Sequence, residues 1–63
     1  MTLKHLRLTE GHSQRQLAKL IGVSITCVSK WESGKMKPND ENIEKLSIVY
    51  NMSIEELIRT LQM

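Results

Sequence analysis

The sequence predicts an all-α domain of five short helices. Apolar residues recur at three- and four-residue spacing instead of alternating, and capping residues stand before these periodic stretches, with glycine or asparagine after most of them. With 63 residues there is room for one domain. A chain of this size buries roughly 60% of the surface that its unfolded form exposes, so the core is thin. Phe is absent and Trp31 and Tyr50 are the only aromatic residues, which leaves Leu, Ile, Val and Met to fill it.

The first helix is expected from about Thr2 to Glu10, with Leu3 and Leu6 facing inward and Gly11 as its stop. Ser13 and Gln16 have the spacing of a capping box, which starts a second helix at Gln14. Leu17, Ala18 and Ile21 form its apolar face, and Gly22 takes the left-handed exit that other residues adopt at a cost. His12 stands where an apolar residue would staple onto Leu17. An imidazole staples less well, and its protonation would make the start of this helix mildly pH-sensitive.

Val23 continues the apolar set, and Ser24 caps a third helix from Ile25 to Glu32 with Val28 and Trp31 turned in. Ala18 is small enough for these two helices to cross closely. Helix, short turn with glycine, helix is the helix-turn-helix pattern, here over about residues 14–32. Ser24, Ile25, Thr26, Ser29 and Lys30 are left outward. Gly34 ends the third helix, Met36 is expected to be partly exposed, and Pro38 precedes the cap Asn39.

The fourth helix carries Asp40 and Glu41 in its first turn, complementing the helix dipole. Ile43, Leu46, Val49 and Tyr50 follow at helical spacing, and Asn51 provides a left-handed exit. Ser53 and Glu56 form a second capping box, opening a fifth helix with Ile54, Leu57, Ile58 and Leu61 on one face.

Charge divides the chain. Residues 1–37 hold seven cationic side chains against Glu10 and Glu32, a balance of +5, whereas residues 38–63 stand at −3. A polyanion is attracted to the first part and repelled by the second. The single cysteine, Cys27, excludes an intramolecular disulfide and is expected to be a half-buried packing residue. No apolar run reaches the ~20 residues of a membrane span and no secretory leader is visible, so the expectation is a soluble, cytoplasmic protein.

The segments Ser13-Gln14-x-x-Leu17-Ala18, Ile21-Gly22-Val23-Ser24 and Ser24 to Lys35 together resemble the phage-repressor type of helix-turn-helix regulator, the lambda repressor/Cro or XRE family. The likeness extends from about Leu3 to Leu61. It implies a compact five-helix lambda-repressor-like DNA-binding domain, and a homodimer that represses transcription by binding double-stranded DNA at a palindromic operator. The third helix would enter the major groove, where Lys30 can donate to guanine O6 and N7 and Thr26 can bond a base or touch a thymine methyl. Ile25 departs from the polar residue more common there in the family and suggests contact with a thymine methyl. Gln14 is placed by the family to contact phosphate and brace the reading helix, and Ser33, Lys35 and Lys37 resemble its backbone-tracking loop. Arg15, Ser24 and Ser29 are further candidates for phosphate, while Lys19 reads better as solvated surface. The family also pairs an arginine and a glutamate at the positions of Arg7 and Glu32. Its usual dimer region implicates Tyr50, Met52, Ile58, Leu61 and Met63.

Enzymatic readings find no footing. His5, His12 and Cys27 lack zinc-site spacing, and no phosphate-cradling glycine loop or nucleophile motif is present. No metal, cofactor or small-molecule ligand is expected. The alternative is a protein-interaction module, such as a small antitoxin or anti-regulator, on the same fold. That reading would fit loss of the basic loop, but Lys30, Lys35 and Lys37 are all kept.

Overall fold

The computed structural model describes residues 2–61. Five helices follow one another: α1 (Leu3–Thr9), α2 (Gln14–Ile21), α3 (Ile25–Ser33), α4 (Asp40–Val49) and α5 (Ile54–Leu61). There is no strand among the described residues. Thr2, Ser13, Ser24 and Asn39 cap the first four helices, each side chain accepting a backbone N–H three residues on. The capping box at Ser13 is closed on both sides, at 3.1 Å and 2.7 Å, and Ser53 with Glu56 closes the one that opens α5. The expected ends shift by one residue in places. Thr2, Glu10 and Asn39 lie just outside their helices, and α3 runs on to Ser33.

The turns leave the helices as their residue types dictate. Gly22 (φ 88°) and Gly34 (φ 78°) are left-handed, and Asn51 (φ 51°) is the one described non-glycine residue with positive φ. Leu17, Ile21, Val28, Leu46 and Leu57 are fully buried, and Leu3, Ala18, Trp31 and Tyr50 close the core around them. Ala18 lies in the α2–α3 contact, α4 and α5 pack as a pair, and α1 rests on α3. Cys27 is half-buried against this core, as expected, and Met36 is exposed.

The surface of the α4–α5 half differs from the expectation. Tyr50 is only 8% exposed, so it completes the core and offers no spare apolar surface. Met52 and Leu61 are half-buried against the same core, and Met63 lies outside the described residues. Ile58 is exposed, but the most prominent apolar side chain is Ile48, at 75%, with Ile54 also in the open. Lys45 lies between the two halves. Its Nζ donates to the carbonyl of Ile21 at 3.3 Å, placing a cation on the negative end of α2, and it pairs loosely with Glu41.

Candidate nucleic-acid interface

The two faces of α3 are cleanly separated. Val28 and Trp31 enter the core, while Ile25, Thr26, Ser29 and Lys30 are exposed on the other side. Capping makes this face available, because the Ser24 hydroxyl accepts from the Cys27 N–H at 3.2 Å and starts the helix just before Ile25. An open groove forms between the first residue of α2 and the outer face of α3. Gln14 stands on one side, and Ile25, Thr26, Ser29 and Lys30 form the floor. Ser33, the last residue of α3, and Lys35 just beyond it continue the groove.

Three elements hold this face in position through one carboxylate. Arg7 Nε donates to Glu32 Oε2 at 2.6 Å and Nη2 to Oε1 at 3.2 Å, a two-pronged ion pair with both side chains about nine-tenths or more buried. The third prong, Arg7 Nη1, donates to the His12 carbonyl at 2.9 Å, which ties down the loop before α2. Gln14 Nε2 donates to Glu32 Oε1 at 3.2 Å. Hydrogen bonding to Glu32 holds the Arg7 guanidinium above its already high ordinary pKa, outweighing the opposing effect of burial. The clamp therefore joins α1, the start of α2 and the end of α3.

His12 has a second role that its place in the sequence does not announce. Its ring lies tilted against Tyr50, with centroids 6.4 Å apart, and fills the space beside the end of α4. The His12 Nδ1 and the Tyr50 hydroxyl are both enclosed without a hydrogen-bond partner, and burial pushes the Tyr50 pKa up to about 12.

The sequence-derived site residues divide into three groups. Gln14, Ile25, Thr26, Ser29, Lys30, Ser33 and Lys35 converge on the groove. Arg15 and Ser24 are exposed at its margins, with the Ser24 oxygen engaged in capping. Lys37 does not belong to it, and borders a separate small cleft beside Pro38, Ile43 and Ile58. Ser33 Oγ donates to the Lys30 carbonyl at 3.3 Å, so its proton would have to swing away before the hydroxyl could meet a phosphate. Sequence reasoning missed the Lys45 contact with Ile21 and the His12–Tyr50 pair, both of which join residues far apart in the chain.

The geometry agrees with what comparison with known proteins shows. A family model described as Helix-turn-helix matches residues 3–57. The HTH-type transcriptional activator BcrR of Enterococcus faecalis is 43% identical over 56 residues, which are 89% of this chain and 28% of that protein. The cryptic phage CTXphi transcriptional repressor RstR of Vibrio cholerae is 38% identical over 55 residues, 87% of this chain and 49% of the relative. The HTH-type transcriptional regulator DicA of Escherichia coli is 37% identical over 51 residues, 81% of this chain and 38% of its own length. The chain thus spans less than half the length of these relatives. No solved structure matches it. With this helix-turn-helix geometry, this family match and these relatives, the chain belongs to the phage-repressor-type helix-turn-helix family of DNA-binding transcriptional regulators, a family of regulators and not of enzymes.

Proposed function

We propose that the chain is the sequence-reading part of a repressor that binds double-stranded DNA as a homodimer, in the cytoplasm, at a palindromic operator. Each protomer lays α3 in the major groove, with half-sites about one turn (roughly 34 Å) apart. The groove built from α2 and α3 carries this reading, because it collects hydroxyls, Lys30 and Lys35 on the basic half of the molecule. Thr26 and Lys30 meet base edges. Lys35, with Arg15 and the open end of α2 nearby, meets phosphates, which anchor the register without reading sequence. Gln14 braces the reading helix through Glu32 and stands at the phosphate end of the groove. Repression asks only that the operator be occupied.

The test is selection from random duplex DNA, followed by titration of the winning sequence at two salt concentrations. A palindromic winner bound far more tightly than random DNA, with a steep salt slope, is the expected result. Lys30→Ala should then relax base preference at one position in each half-site. Lys35→Ala should weaken all sequences alike and reduce the salt slope by about one. No enrichment, with weak binding even at low salt, would assign the fold to a protein partner instead.

A further inference from the structure

We propose that Ile25 reads the C5 methyl group of a pyrimidine, so that the operator contains a position where thymine and 5-methylcytosine are equivalent and the unmethylated bases are rejected. This rests on the reading of α3 as a major-groove helix. Of the exposed large apolar side chains, Ile25 is the one that lines the groove, at 38% exposure, and every other residue lining it is polar or charged. Its position at the first turn of α3 faces it outward, and it has no part in the buried core cluster.

Seen from the major groove, a base pair offers one apolar feature, the pyrimidine C5 methyl, among donors and acceptors. An isoleucine facing base edges therefore has a single complement. Beside an unmethylated cytosine it would strip water from the N4 amino group and return nothing.

The usual route to an A·T pair is a glutamine or asparagine lying along the adenine edge. Among the described residues Gln14 is the only amide side chain lining the groove, and its Nε2 is held on Glu32 at 3.2 Å. The groove's other donors are the Thr26 and Ser29 hydroxyls and two lysines, and a lysine suits guanine. Discrimination of A·T pairs then falls to the thymine methyl, and Ile25 is the apolar side chain that the groove offers it.

The experiment uses the full chain and its selected duplex, with each thymine of the half-site replaced in turn by uracil, which keeps pairing and deletes the methyl. Affinity should fall at one position, by about fourfold for one methyl group and roughly fifteenfold when both half-sites lose it. A 5-methylcytosine·guanine pair there should bind better than cytosine·guanine by a similar factor. Ile25→Ala and Ile25→Gln should both abolish these responses while keeping the helical circular dichroism and unfolding midpoint of the parent chain, which shows that the variants are folded. Uracil tolerated at every position, or a methyl response that survives in Ile25→Ala, would overturn the assignment to Ile25. A chain that selects no duplex at all would instead remove the DNA reading beneath it.

Discussion

The residue that most constrains this molecule is Glu32. Its two oxygens take three donors, from Arg7 and Gln14, inside a nearly dry environment. Removing the charge leaves the Arg7 guanidinium buried without its counter-ion, which in comparable pairs costs about 3–5 kcal/mol. Glu32→Gln is therefore expected to lower the urea midpoint steeply, as followed by the fluorescence of the single tryptophan, Trp31. Replacing Arg7 and Glu32 together by methionine should recover part of that loss, since no unpaired charge remains. Tyr50 sets a limit at the other end of the pH scale. Its pKa rises from 10 to about 12 because burial disfavours the phenolate, so folding favours the protonated form. Its contribution is complete below pH 10 and drains away as the pH climbs toward about 12, on the order of 2 kcal/mol in all. Since it is the only tyrosine, the near-ultraviolet phenolate signal should appear late and together with loss of helical circular dichroism.

At the scale of helices and turns, boundaries are decided by chemistry local enough to read in one dimension. Ser13 with Gln16, Ser24, Asn39, and Ser53 with Glu56 each act within three residues of themselves, and all of them cap where their spacing indicates. Gly22 offers a sharp test. A Cβ built there meets nothing within 4 Å, so the cost of Gly22→Ala is the left-handed backbone alone (φ 88°). We expect about 1–2 kcal/mol of lost stability in chemical denaturation, with Gly22→Asn costing less because asparagine tolerates that region. What periodicity does not disclose is which apolar residues a neighbour will cover. Ile54, Leu57 and Ile58 share one apolar face by their spacing, yet Leu57 is fully buried while Ile54 and Ile58 are exposed. Lys45 was likewise illegible, since its partner is a carbonyl 24 residues away. The groove itself was largely readable because α3 is short and one side of it is claimed by Val28 and Trp31. Lys37 falls outside the groove because Pro38 is buried and carries the chain away toward α4 and α5.

Over the whole molecule, charge and apolar surface are segregated. The half with a balance of +5 carries the groove, and the half at −3 carries Ile48, Ile54 and Ile58 in the open. If two copies meet through the second half, their acidic residues stay clear of DNA phosphates while both basic faces remain free. Replacing Ile48, three-quarters exposed, by lysine should leave the stability of the single chain nearly unchanged. If the proposed dimer forms through this face, the same change converts it to a monomer in sedimentation and costs the avidity of linked half-sites. Among the described residues, no helix is long and apolar enough to cross a membrane. The separation of the two faces of α3 has a further consequence. Within the body of that helix the two duties fall to different side chains: Val28, Trp31 and Glu32 support the frame, and Ile25, Thr26, Ser29 and Lys30 face the groove, while Ser33 at its end lines the groove and bonds the Lys30 carbonyl. If this face reads DNA as proposed, recognition can be rewritten at four positions with the scaffold untouched. On that reading, descendants of this chain can drift to new operators without passing through an unfolded ancestor.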